Sequence, residues 1–401
     1  MPMNTRATAS SPTCIVCGSG DTVVFADVRA VPVHATVLWK TRAEALAAAV
    51  GDIDLTFCRS CGHIFNPRFE ASKTEYTQAY DNSLHFSPLF QRYAESLADR
   101  LIDRYALKGK QVLEIGAGKG DFLALVVERG NNRGIGFDPS YVPGDAHRAL
   151  RESGRMVIHQ EYFDPETSAL EADLLVCRQV LEHIEQPRPF LEKLQTTVPP
   201  GRDTVVFFEV PNAMCPLRDM DVWTLIYEHC GFYTPHSLDR LFTLAGFEVL
   251  ALEELYEGIF LGVEARVRRA SQAETPPGTE VDDLTGLVER FSQRFREKVT
   301  HWEAMLHYLN EAGKRVVIWG SGARGASFLN MVKNAHTIRF AVDINPRKAG
   351  TFVPGTGQEI VLPPFLREYR PDVVVLMNPI YVGEVRVLLQ SYDLSPEILE
   401  A

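Results

Sequence analysis

The sequence predicts an α/β protein built on doubly wound parallel sheets, with a small cysteine-rich module in front. Three observations predict it. Strand-like apolar runs alternate with helical stretches between residues 91 and 270. Two runs pass from a buried strand through a glycine-rich turn into a helix, at 111–122 and 314–327. Two Cys-x-x-Cys pairs, at 14–17 and 58–61, precede both. With 401 residues the chain has room for several domains of roughly 100–200 residues each.

Composition removes some classes of function. Apolar residues make up 45% and charged residues 23%, which is ordinary for a globular chain. With 41 basic and 52 acidic residues the net charge is −11, so nothing draws the protein as a whole to nucleic acid or to an anionic membrane. No run of about 18 or more apolar residues exists to span a bilayer. The N-terminal Met-Pro-Met-Asn-Thr-Arg lacks the apolar segment of a secretory signal. The expected compartment is the cytoplasm, where thiols stay reduced. The seven cysteines are therefore expected as ligands, reactive thiols or core packing rather than disulfides.

The first expected domain is 1–90. Cys14-Ile-Val-Cys17 and Cys58-Arg-Ser-Cys61 are each followed by a glycine, Gly18 and Gly62. Two such knuckles read as a tetrahedral four-cysteine Zn2+ site. Four thiolates leave no open position, so the zinc is expected to be structural. The gap between the knuckles is longer than in a zinc ribbon, so an insertion must loop out. His34 and His63 are spare candidates for ligation.

The second expected domain is 91–270. Residues 91–106 repeat apolar positions at helical spacing. Strands are expected at the start of Gln111–Phe122 and at Gly134–Asp138, Ala172–Cys177 and Thr204–Val210, with helices between them. Ligands bind such sheets at the carboxyl ends of the strands. Gly116 and Gly118 allow a tight turn and close backbone approach to a cofactor. Asp138 follows Gly118 by 20 residues, at a strand end where an acid can hold two ribose hydroxyls. Residues 271–312 are expected as a helical linker. Leu284, Leu287, Val288, Phe291, Phe295 and Val299 recur at helical intervals, though not as a strict heptad, so a packed connector is expected rather than a coiled coil. The fourth segment, 313–401, opens on Gly320-Ser-Gly-Ala-Arg-Gly325, with strands expected at Thr337–Asp343 and Asp372–Met377. Asp343 keeps a nicotinamide reading open for this second Rossmann-like unit. A turn that holds an anion is the alternative, and Arg324 near the helix N-terminus suits a diphosphate.

Glu114-Ile-Gly-Ala-Gly-Lys-Gly120 with Asp138 resembles the first motif of class I S-adenosylmethionine methyltransferases. Cys177-Arg-Gln-Val-Leu-Glu-His-Ile184 and Phe208-Glu-Val-Pro-Asn212 resemble their later motifs. The whole plan, with Ile226-Tyr-Glu-His229, Gly320–Ser327 and Val342–Thr356, is similar to the three-domain sugar C-methyltransferases, which act on nucleotide-linked deoxysugars in antibiotic biosynthesis. The resemblance implies a class I methyltransferase sheet between an N-terminal zinc-binding module and a C-terminal Rossmann-like domain. It implies S-adenosylmethionine as cofactor, held by Glu114, Gly116, Ala117, Gly118, Asp138, Pro139 and Arg178.

It also implies a catalytic cluster of Tyr227, Glu228 and His229, with Tyr80 on a covering segment and His183 nearby. In that family the histidine is the general base. A base with a pKa near operating pH suits removal of a proton beside a carbonyl, and Glu228 could orient it. A tyrosine, 227 or 80, could donate to the enolate oxygen. Two departures stand out. The stretch Val31–Lys40 does not follow the sugar-enzyme pattern, and the family's tyrosine stands one residue further from its Glu-His pair. An O- or N-methyltransferase of a different small-molecule acceptor is the nearer alternative, and a non-catalytic scaffold the more distant one. Cys177 is expected in the core; Cys215 and Cys230 flank the expected pocket.

Overall fold

The computed structural model describes residues 11–74, 80–81, 83–165, 171–199, 201–268 and 280–401. Positions 271–279 of the expected linker, and Ala79 and Asn82 beside Tyr80, lie outside the described residues. No helix among the described residues is long and apolar enough to cross a membrane.

The chain opens on β1 (Thr22–Pro32), β2 (Val50–Cys58) and β3 (Ile64–Phe65), an antiparallel set between and behind the two cysteine knuckles. The insertion that the knuckle spacing required is thus mostly the β1–β2 hairpin. A larger sheet follows: β4 (Gln111–Ile115), β5 (Arg133–Phe137), β6 (Met156–His159), β7 (Leu174–Arg178) and β8 (Val205–Pro211). Next in the chain, β9 (Gly231–Phe232) leaves that sheet and pairs with β3 of the first one. The larger sheet is completed by β10 (Phe247–Leu255) and β11 (Phe260–Val267).

Its strand order is β10-β11-β8-β7-β4-β5-β6, with β11 antiparallel in an otherwise parallel centre. The central strands are apolar along their length because helices cover both faces; β7 is Leu-Leu-Val-Cys-Arg, buried through Cys177. The helix Pro88–Arg104 covers one face. Ser87 caps it by accepting from the Phe90 amide, and Pro88 occupies the first turn, where no amide is needed.

The last sheet is β14-β13-β12-β15-β16, all parallel: β12 (Val316–Trp319), β13 (Phe340–Val342), β14 (Glu359–Val361), β15 (Val373–Leu376) and β16 (Glu397–Glu400). A single helix, Glu280–Glu311, leads into it. Leu284, Val288, Phe291, Phe295, Trp302 and Leu306 are buried along one stripe of this helix. Phe291 meets Phe25 of β1 at 5.7 Å between rings, and Trp302 meets Phe328 at 5.2 Å, so the helix belongs to one continuous core with the first and last sheets.

Candidate active site

The carboxyl ends of β4, β5, β7 and β8 open onto a cavity of about 1180 Å³, which the glycine turn after β12, Tyr80 and the segment 83–88 also line. A site for one small ligand is typically about 300–1000 Å³, so this volume has room for a cofactor and an acceptor together.

The turn after β4 follows from its glycines. Gly116 has φ +72°, and a Cβ there would overlap the Val180 side chain. Gly118 has φ +56° with open space where its Cβ would be. Its amide donates to Asp138 Oδ2 at 2.8 Å, while the amide and hydroxyl of Ser140 donate to Oδ1 at 2.7 and 2.6 Å. The acid at the end of β5 therefore clamps the turn and stays on the cavity wall. Ala117 and Pro139 line the same wall. Glu114, only 3% exposed, has Oε2 with no hydrogen-bond partner. Burial pushes its carboxyl up to about 8. A buried carboxyl oxygen without a partner on a cavity wall suits a ligand that brings a cation or a donor.

Arg178 stands on the cavity wall, between Phe122 at 4.3 Å and Phe90 at 6.0 Å. Its guanidinium donates to Glu209 Oε1 through Nη2 at 3.0 Å and Nε at 3.2 Å. Glu209 also accepts from Gln179 and from the Tyr93 hydroxyl. The expected cofactor ligand is thus already neutralised by a carboxylate that is 0% exposed. A glutamate inside the apolar run Val-Val-Phe-Phe-Glu-Val was the available signal for that partner.

Two histidines line the same cavity. His183 and His229 meet edge to face, 5.0 Å between rings. His183 Nδ1 donates to the Glu228 carbonyl at 2.9 Å. Burial holds His183 below the ordinary imidazole range and His229 well below it, the latter with a smaller contribution from His183. Glu228 is 1% exposed. Its Oε2 accepts from the Ala35 amide at 2.9 Å, and Oε1 lies 3.4 Å from His34 Nδ1. The carboxylate expected to orient His229 is therefore held by the front module instead. His34 serves Glu228, and His63 is buried beside Phe65 with neither nitrogen hydrogen-bonded, so neither belongs to the cysteine cluster.

Tyr80 lines the cavity, as expected. It pairs with Val37 in an isolated antiparallel bridge, and the Asp81 amide donates to Thr36 O at 3.2 Å. Burial, and then the nearby Glu228, push its phenol well above the usual range. Tyr227 does not reach the cavity, and this corrects the expected cluster. Its ring lies over Gly51, where a Cβ would collide with it; its hydroxyl accepts from the Glu70 amide at 2.9 Å and donates to Arg68 O at 3.3 Å. The neighbours Ile226 and Glu228 line the cavity while Tyr227, between them, faces the first sheet.

The four knuckle sulfurs lie within 4.8 Å of one another. Cys14 and Cys61 are 3.6 Å apart, as are Cys17 and Cys58. Hydrogen bonds from Cys14 and Cys61 hold the Cys58 thiol far below its usual range, while Cys14 and Cys61 are pushed up. Four sulfurs so close together match the donor set of a tetrahedral thiolate site. Cys177 is buried in the core, and Cys215 lines the cavity.

The second glycine turn lines the same cavity, but its charges are taken. Asp343 Oδ2 accepts from the Ser321 hydroxyl at 2.6 Å and from Lys348 Nζ at 2.9 Å, and Oδ1 from the Asn345 amide at 2.9 Å. Asp138 accepts a similar set of backbone and hydroxyl bonds; what distinguishes Asp343 is the Lys348 ammonium, which offsets its charge at the position the nicotinamide alternative would use. Arg324 is paired with Asp221 at 2.8 Å, which offsets the charge expected for a diphosphate.

Residues 90–252 match the family model described as a methyltransferase domain, and residues 262–393 match the one described as a C-methyltransferase C-terminal domain. The chain is 24% identical over 395 residues to the C-methyltransferase NovU of Streptomyces niveus, covering 93% of this chain and 90% of that one. The chain is an S-adenosylmethionine-dependent methyltransferase with a C-methyltransferase C-terminal domain behind its methyltransferase domain. This methyltransferase is also 29% identical over 153 residues to a ubiquinone biosynthesis O-methyltransferase of Acinetobacter baylyi, spanning 36% of this chain and 60% of that protein. Among solved structures, the N,N-8-amino-8-demethyl-D-riboflavin dimethyltransferase (RosA) of Streptomyces davawensis is 19% identical with a TM-score of 0.36, over 45% of this chain and 56% of that one.

Proposed function

We propose that this methyltransferase acts in the cytoplasm on a nucleotide-linked keto-deoxysugar and methylates the carbon beside its carbonyl through an enolate. One observation carries the reading: His229, half-buried, lines the same cavity as the cofactor-type glycine turn. S-adenosylmethionine, when bound, supplies an activated methyl group. The Gly118 turn, Asp138 and the unpartnered Oε2 of Glu114 suit its ribose and its charged methionine end. His229 takes the proton from the carbon, with His183 against its ring. Tyr80, protonated at all working pH values, donates to the carbonyl oxygen as negative charge develops there. The four cysteines hold a structural Zn2+.

A mass-spectrometric assay in heavy water tests this with a panel of nucleotide-linked 4-keto-deoxysugars. The expected product is one methylene heavier, and solvent deuterium enters the substrate without the methyl donor. A product methylated on oxygen or nitrogen, with no exchange at carbon, would count against the enolate.

Two further results are expected. Asp138→Ala should weaken S-adenosylhomocysteine more than about tenfold by calorimetry, since both the turn and the ribose lose their anchor. Unchanged affinity would remove Asp138 from the cofactor site. In pH profiles of kcat/KM, protonation removes the lone pair of His229, so the rate falls as pH drops through its pKa. Because burial lowers that pKa, the acidic limb should lie below the ordinary 6.5. A limb above pH 7 would point to another base.

A further inference from the structure

We propose that Glu182, His183 and His229 form a second metal site, separate from the cysteine cluster, that takes a borderline divalent cation such as Co2+, Ni2+ or Zn2+. The three residues offer one carboxylate and two imidazole donors, all within 4.8 Å of one another. Bonds of about 2.1 Å to a tetrahedral ion need donors roughly 3.4 Å apart, so small side-chain rotations close the set. Imidazole with a carboxylate selects this class of ion over the all-oxygen preference of Mg2+.

Two observations favour a cation. The bond from His183 Nδ1 to the Glu228 carbonyl fixes the proton on that nitrogen and leaves the lone pair on Nε2, which lies 3.9 Å from Glu182 Oε1. Metal-binding histidines are oriented by the same second interaction. Glu182 is 1% exposed and its Oε2 has no hydrogen-bond partner, although it lines the cavity. A buried carboxylate oxygen in that condition is costly until a cation or a donor reaches it. The cavity supplies the open coordination position.

The consequence for activity rests on the base role proposed for His229; the binding itself does not. An ion takes the lone pair that a base needs, so loading this site should inhibit. The experiment uses the full-length protein with the cysteine cluster filled by zinc, titrated with cobalt chloride and followed by visible absorption and turnover together. One further cobalt should bind per chain, with weak d–d bands and no thiolate-to-cobalt charge transfer. Turnover should fall more than tenfold in step with loading and return with EDTA. His183→Gln should abolish the cobalt spectrum, and Glu182→Gln should weaken binding at least tenfold, each with cofactor affinity unchanged as the check on folding.

Cobalt that shows thiolate charge transfer, or that still binds to both variants, overturns the site. Turnover that rises with cobalt overturns the inhibitory consequence. If His229→Asn stays active without metal, the base reading fails, while cobalt binding by the unsubstituted protein still stands.

Discussion

His229→Asn should lower turnover by about 10³-fold and leave S-adenosylhomocysteine affinity within about twofold. Asparagine keeps much of the ring's shape and a polar end but cannot take a proton. The cofactor-type turn is held by Gly118, Asp138 and Ser140, none of which depends on the histidine. The measurements are single-turnover methylation and calorimetric titration on the same preparation. The variant should also lose deuterium exchange into the acceptor, which separates loss of the base from loss of alignment. Methylation within tenfold of the unsubstituted protein would show that His229 is not the base. His183 lies against the His229 ring, and its Nδ1 is committed to a backbone carbonyl. His183→Asn should therefore cost less than His229→Asn, mainly in kcat.

Cys58→Ser should remove the metal and, with it, the support of the cavity wall that carries His229. Metal analysis of the unsubstituted protein should find one zinc per chain that survives gel filtration. A structural zinc in small modules is worth roughly 10 kcal/mol or more of folding free energy, so losing it should melt the front module rather than loosen it. The effect reaches the site because the sheets interlock. β9 begins two residues after His229 and pairs with β3, just behind the second knuckle, and the Asn66 amide donates to Cys230 O at 2.9 Å. The first module also holds Glu228 through the Ala35 amide. Hydrogen exchange should rise across β1, β2, β3 and β9, and turnover should fall more than a hundredfold. S-adenosylhomocysteine should still bind, since the glycine turn after β4 lies in the larger sheet. A zinc-free Cys58→Ser protein with normal turnover would show that the cluster does not support the site.

Elements made by contiguous residues were legible from the sequence. Cys-x-x-Cys brings two sulfurs together within a single turn, so both knuckles could be read without a fold. Strand, glycine turn and helix follow one another within about a dozen residues, so both Rossmann-like turns were legible, as was Asp138 at the end of the next strand. The long helix announced itself by its apolar stripe. Glu182 stood in view beside His183, but a charged residue next to a histidine in a motif says nothing about burial or a missing partner.

What the tertiary structure decided was which charges are already paired and which way side chains point. Arg178, Arg324 and Asp343 read as ligand groups in sequence. Each meets its partner in Glu209, Asp221 and Lys348, and two of those pairs join residues 31 and 103 positions apart. Tyr227 and Ile226 are adjacent in the chain, and only packing over Gly51 turns the tyrosine away and leaves isoleucine at the cavity. The stretch from Val31, which fits no sugar-enzyme pattern, bridges to Tyr80 and holds Glu228. The physical reason is common to all of these. Local turn chemistry is set by a few neighbouring φ values and amides, whereas the partner of a charge and the facing of a ring are set by whatever distant segment the fold packs against them.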